Sequence, residues 1–301
     1  EQHPNHPEYL ICEMETSRGC PYRCSFCTEP LYGADPSFRT PDSVVGEVDA
    51  LSNHGAKHFR LGRQADILAY GGDGEAPNPD ALRALYGGIR EVAPDLETLH
   101  LDNMNPITIV KWPEKSREGI RIIAEHNTPG DTAAFGLESA DPLVQEENNL
   151  NVSAEECLRA VRIVNEEAGW RPGGPGDPRT SGDASGGNRE RNGDGAANRL
   201  PKLLPGINLV HGLKGERAET FDHNREFLQR VYDEGLMLRR VNIRQVMAFE
   251  GTEMSETGAE IAHDHKKQFK QYKREVREEI DNPMLQRLAP PGTLLEDVHL
   301  E

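Results

Sequence analysis

Three cysteines fall within eight residues, Cys20, Cys24 and Cys27 in the run Gly19-Cys20-Pro21-Tyr22-Arg23-Cys24-Ser25-Phe26-Cys27. They are spaced by three residues and then two, on a loop that follows a strand-like run at 9–14, so their thiolates can converge on one inorganic centre. A structural zinc site is closed by four ligands, and no His or Cys nearby in the sequence supplies the fourth. Iron–sulfur cubanes are held by thiolates at similar short spacings, and three thiolates on a four-iron cluster leave one iron open to a ligand that is not protein. An open iron invites a substrate. The other two cysteines read as packed thiols, Cys12 within the first strand and Cys157 inside a helical pattern. The total of 5 Cys in 301 residues is odd and no signal peptide precedes them, which argues against a disulfide framework.

The elements that must carry this loop alternate between strand-like and helix-like stretches, the pattern of βα units on a parallel sheet. Thr40-Pro41 supplies a cap and first turn for a helix with Val44, Val45, Val48 and Leu51 on one face, stopping near Gly55. Further strands are predicted at 58–61, 97–101, 132–137, 206–210 and 240–247, with helices at 79–92, 114–126, 154–168 and 219–234. Ser153 and Glu156 form a capping box for the helix at 154–168. Six such units predict an α/β fold, a partial (β/α)6 barrel of the TIM type.

In parallel α/β folds ligand groups gather at the carboxyl ends of the strands. Strand two ends in Leu61-Gly62-Arg63-Gln64, where Gly62 allows close backbone approach and Arg63 or Gln64 either reaches a ligand or lies on the surface. Strand four ends in Phe135-Gly136-Leu137-Glu138-Ser139, which brings a carboxylate to the barrel mouth after an apolar run. Asp102, Asn103, Asn105, Arg244 and Gln245, after strands three and six, are candidates to line that mouth or to hydrogen bond within their loops.

The order Cys20, Cys24, Phe26, Cys27 resembles the signature of the radical S-adenosylmethionine (SAM) superfamily. That resemblance implies a 4Fe-4S cluster on Cys20, Cys24 and Cys27, with the methionine end of SAM chelating the open iron and Phe26 packing by the adenine. It further implies reductive cleavage of SAM to a 5'-deoxyadenosyl radical, with the electron drawn from a ferredoxin- or flavodoxin-type reductant. Gly62, with Arg63 and Gln64, matches the place where the family's Gly-Gly-Glu segment binds the methionine amino group. Phe135-Gly136-Leu137-Glu138-Ser139 resembles the segment of the methylthiotransferase and cobalamin-binding branch whose acidic or amide side chain meets ribose hydroxyls. Gly212-Leu213-Lys214-Gly215-Glu216 and Phe249-Glu250-Gly251-Thr252 resemble turns of the same branch, so the likeness covers nearly the whole chain. One departure is that methylthiotransferases usually carry an Arg where this chain has Asn148-Asn149-Leu150. Taken as wholes, the segments around Cys20, Gly62 and Arg244 resemble a group of uncharacterised archaeal members that continue into a helix-hairpin-helix segment.

With 51 acidic and 34 basic residues the net charge is −17, with Arg favoured over Lys, a balance expected of a halophilic cytosol where screening removes self-repulsion. Such a charge excludes broad nonspecific nucleic-acid binding but not a local basic patch. One basic concentration exists: Lys266, Lys267, Lys270, Lys273, Arg274 and Arg277 beside Phe269 and Tyr272, either an amphipathic helix on the barrel or an anion contact. No apolar run approaches the roughly 20 residues that span a bilayer, so a cytoplasmic protein with no membrane partner is expected. Residues 171–198, rich in Gly, Asp and Arg, read as a disordered insertion. Residues 1–258 are predicted to form the core barrel, and 259–301 a helical extension leading into a further domain. A radical must be shielded, so the substrate is expected to cap the barrel mouth. Modification of an RNA or another macromolecule is the first expectation for it. Alternatives are a small-molecule transformation, methylthiotransfer, or a non-enzymatic iron–sulfur protein.

Overall fold

The computed structural model describes residues 11–72, 76–170, 201–257 and 265–288. The first strand, β1 (Ile11–Glu15), runs into the cysteine loop, whose base is closed by a short antiparallel pairing of β2 (Ser17–Arg18) with β3 (Ser37–Phe38). Thr40 then caps α1 (Pro41–Ser52): its hydroxyl accepts from the Ser43 amide at 3.3 Å, and Pro41 sits at a position where a missing N–H is harmless. The chain continues through β4 (His58–Gly62), α2 (Pro79–Val92), β5 (Thr98–Leu101), α3 (Pro106–Lys111), α4 (Pro113–His126) and β6 (Asp131–Glu138). Next come α5 (Pro142–Glu147), α6 (Ala154–Glu167), β7 (Leu203–His211), α7 (Ala218–Asp233) and β8 (Arg240–Gln245). The described chain closes with α8 (Glu253–Thr257), α9 (His265–Val276) and α10 (Asn282–Leu288).

The six long strands form two parallel sheets, ordered β1-β4-β5 and β6-β7-β8. A parallel bridge between Asn103 and Ala134 joins them, with the Ala134 amide donating to Asp102 O at 3.0 Å and the Met104 amide to Ala134 O at 3.1 Å. The result is an open half-barrel built from six βα units; among the described residues no ladder joins β8 back to β1. Alternation along the strands explains its two surfaces. Phe59 and Leu61, Leu99, Phe135 and Ile207 face the helices and are fully buried in one continuous core. Each such side chain contributes about 1.5–3 kcal/mol by leaving water. The intervening residues, among them Arg60, His100, Glu138, Asn208 and Arg240, point to the concave side.

The helix α3 was not among the predicted elements. Asn105 starts it, its side-chain oxygen accepting from the Ile107 amide at 3.2 Å, with Pro106 in the first turn. The basic segment near the C-terminus is the amphipathic helix α9: Tyr272 and Val276 are buried while the Lys266, Lys267, Lys270, Lys273 and Arg274 side chains are exposed. Residues 171–198, expected as an insertion, lie outside the described residues, as do 289–301 of the expected extension. No helix among the described residues is long and apolar enough to cross a membrane.

Candidate functional site

The cysteine loop is held from several sides. Gly19 has φ +90°, and a Cβ there would lie 2.6 Å from Gly33 O, so no other residue fits. The Cys20 amide donates to that same oxygen at 3.0 Å, and the Cys27 amide folds back to Cys24 O at 3.1 Å. Between those two cysteines Ser25 is clamped: its amide donates to Asn148 O at 3.0 Å, its hydroxyl to Asn148 Oδ1 at 2.8 Å, and its carbonyl accepts from the Met254 amide at 2.9 Å. Asn148 is fully buried, and its Nδ2 donates to Val144 O and Lys214 O, both at 2.8 Å. One amide side chain thus ties the loop to α5 and to the turn between β7 and α7. Sequence alone marked Asn148 only as a departure from an expected Arg; the contacts that give it a role lie 123 and 66 residues away.

Cys20, Cys24, Cys27, Phe26 and Glu138 line one cleft at the carboxyl ends of the strands, with Asn103, Asn105 and Asn208 on its walls. Desolvation pushes the Cys20 thiol up to about 11. Cys24 rises to about 12, through desolvation and then the charges of Cys27 and Glu138. Cys27 is also raised by desolvation. Three sulfurs close enough to repel one another as thiolates want a cationic centre, which would deprotonate them outright. Among the described residues no three His, Cys, Asp or Glu side chains close around a single metal ion. Ligands on one zinc, at 2.3 Å each, sit within about 3.8 Å of one another. A cubane takes each thiolate on a different iron and needs a wider spread. Three sulfurs in one cleft, with no His or fourth Cys among its described lining residues, fit that second donor set.

Glu138 ends β6 with φ 61°, in the left-handed region that costs a non-glycine residue about 1–2 kcal/mol. Gly136 makes room for it, since a Cβ at Gly136 would lie 2.7 Å from Glu138 Oε1. Burial pushes its carboxyl up to about 8 against the opposing pull of Arg244. Among the described residues the Glu138 side chain has no hydrogen-bond partner, and it is half-buried on the cleft wall. A strained, protonated, unpartnered carboxyl facing a cleft is a binding group in waiting.

The other candidates divide. Gly62 ends β4 beneath the Glu13 side chain, which would overlap any Cβ placed there. Arg63 is exposed, with φ 48°, and its Nε lies 3.7 Å from Glu15 Oε2. Gln64 is buried, accepting from Thr16 Oγ1 at 3.5 Å and leaving Nε2 unpaired among the described residues. Ser139 is buried in the turn after β6, where its hydroxyl accepts from the Asp141 amide at 3.2 Å and its carbonyl from Gln145 Nε2 at 2.7 Å. None of these four lines the cleft holding the cysteines. Asn103 and Asn105 do, whereas Asp102 pairs with Arg60 at 2.6 Å, and Arg244 and Gln245 are exposed on β8.

Comparison with known proteins agrees with this geometry. The Radical SAM superfamily matches residues 14–173. An uncharacterised protein of Archaeoglobus fulgidus is 43% identical over 304 residues, covering 100% of this chain and 52% of its own length. A second, from Methanocaldococcus jannaschii, is 44% identical over 311 residues with the same coverage. The chain therefore spans about half the length of the curated relatives it matches. The ribosomal protein uS12 methylthiotransferase RimO of Saccharopolyspora erythraea is 24% identical over 227 residues, 73% of this chain and 37% of that protein. Among solved structures, the radical SAM methyltransferase TsrM of Kitasatospora setae, with cobalamin and a [4Fe-4S] cluster bound, superposes with a TM-score of 0.53 at 18% identity, covering 81% of this chain and 38% of that one. That likeness is one of fold.

Proposed function

The chain belongs to the radical SAM superfamily, and on that premise we propose that it is an iron–sulfur enzyme in which Cys20, Cys24 and Cys27 hold a [4Fe-4S] cluster beside bound SAM. When bound, cluster and cofactor supply the electron and the sulfonium whose reductive cleavage yields a 5'-deoxyadenosyl radical. Phe26 offers a flat apolar surface to the adenine at the cleft wall. Glu138, neutral below about 8, can both donate to and accept from ribose hydroxyls. The turn at Gly62, Arg63 and Gln64 takes the methionine end, with the unspent Gln64 amide as a donor. Ser139 acts behind Glu138 by fixing the turn that aims it. Asn148 positions the cysteine loop.

The observation that carries this reading is the meeting of three thiols and an unpartnered carboxyl in one cleft at the strand ends. Electrons come from a ferredoxin- or flavodoxin-type protein. Among the described residues no strand joins β8 to β1, which leaves that side of the half-barrel open to a substrate larger than a metabolite, and we take RNA or another macromolecule as its class. The acidic, Lys-poor composition supports a salt-rich setting. Anaerobic reconstitution followed by SAM and dithionite tests the core claim: the expected product is 5'-deoxyadenosine. A full cluster that leaves SAM intact would make the protein a non-enzymatic iron–sulfur protein instead.

A further inference from the structure

The open side of the half-barrel is lined on one lip by β8. Val241 and Ile243 of this strand pack against the core, so Arg240, Asn242 and Arg244 all face the concave side. The register places Arg240 opposite Gly206, Asn242 opposite Asn208 and Arg244 opposite Val210. Gly206 gives the first arginine its room, since a Cβ there would lie 3.2 Å from Arg240 Cγ. Asn242 donates to Asn208 Oδ1 at 2.9 Å, and Asn208 lines the cysteine cleft, so this lip is continuous with the site.

Neither the Arg240 nor the Arg244 side chain makes a hydrogen bond or close ion pair among the described residues, although Glu138 lies within electrostatic reach of Arg244, and Asp102 and Asp131 within that of Arg240. The nearby carboxylate Asp102 is already spent on Arg60 at 2.6 Å. Desolvation, and then the like charge of Arg60, hold Arg240 below its ordinary value, with Asp102 pulling the other way. Like charges gathered on the exposed concave face of one strand are a feature that a bound anion relieves.

We propose that the concave face of β8, through Arg240 and Arg244 with Arg60 opposite, binds a phosphate group of the substrate. Guanidinium forks match phosphate oxygens bidentately, and two of them four residues apart on one face of a strand suit a multiply charged anion better than a lone carboxylate. This deepens the reading above by naming the substrate as phosphate-bearing, and it rests on that reading only in calling the ligand a substrate.

Binding is measured by calorimetry on the anaerobically reconstituted full chain without SAM or reductant, using inorganic phosphate and a ten-nucleotide RNA as probes. Wild type is expected to bind phosphate, and the double variant Arg240→Gln/Arg244→Gln to bind it about tenfold or more weakly. Arg230→Gln, which removes a cation paired with Glu155 on the outer surface, is expected to bind like wild type. Unchanged circular dichroism of the double variant keeps a folding failure apart from a binding loss. Equal phosphate affinity in wild type and double variant, or no binding by wild type, overturns the proposal. RNA binding whose salt slope falls by about 1.4 in the double variant assigns the phosphate to a polynucleotide. RNA no tighter than phosphate alone assigns it to a small phosphorylated molecule. Because no step needs SAM cleavage, phosphate binding without 5'-deoxyadenosine formation would sink the catalytic reading alone, and the reverse would sink this inference alone.

Discussion

On their outer faces the strands bury Phe59, Leu99, Phe135 and Ile207 completely, whereas at their carboxyl ends Arg63 and Glu138 adopt left-handed φ of 48° and 61°. The outer face packs apolar side chains against apolar neighbours. Among the described residues the strand ends leave Gln64 Nε2 without a partner, desolvate three thiols and push the Glu138 carboxyl up. The difference teaches where stability is made and where it is spent: packing on one side sustains strain and desolvation on the other, and those are the features a ligand relieves.

Separating the two sets of residues by mutation tests that division. The largest effect is expected for Cys24→Ala, which should abolish iron incorporation and 5'-deoxyadenosine formation while leaving the urea unfolding free energy of the apoprotein within about 1 kcal/mol; iron analysis and unfolding curves decide it. A collapse of the fold on losing this thiol would break the comparison. Phe135→Ala should do the opposite, costing about 3–5 kcal/mol in urea unfolding while the folded fraction still takes up iron.

Asn148→Ala falls between the two. It strands the Ser25 hydroxyl and two buried carbonyls, at a cost of about 1–3 kcal/mol, and should also hasten iron loss to a chelator by freeing the loop. Stability loss with unchanged iron release would place Asn148 wholly on the packing side. The remaining test concerns pH and Glu138. Its folded value of about 8 stands above the ordinary 4.5, so its contribution to stability is complete below 4.5 and is lost as pH rises through 8. Glu138→Gln should flatten that decline in the apoprotein between pH 5 and pH 8, as read by thermal unfolding across pH. An unchanged pH profile would mean that the carboxyl is already solvated.

Much of the frame was legible because local chemistry and periodicity agreed. The Ser153–Glu156 box and the Thr40-Pro41 start occur where the sequence places them, with Ser153 Oγ accepting from the Glu156 amide at 3.3 Å. The helix α3 was missed because Ile107, Thr108, Ile109 and Val110 are β-branched and favour a strand; the Asn105 cap and Pro106 were the available signal. The β2–β3 pairing is two residues long, too short to leave a pattern. At the site, the cysteines and Glu138 announced themselves by type and position. The clamp at Asn148 did not, since partners that distant in sequence are chosen by tertiary packing.

The stitch from Asn103 to Ala134 carries one consequence for the holoprotein. It joins two leaves, one bearing the cysteine loop and the other bearing Glu138 and Asn208, so a molecule gripped by both becomes a rivet across the fold line. Occupancy then stiffens the scaffold itself, and the empty chain is the looser hinge.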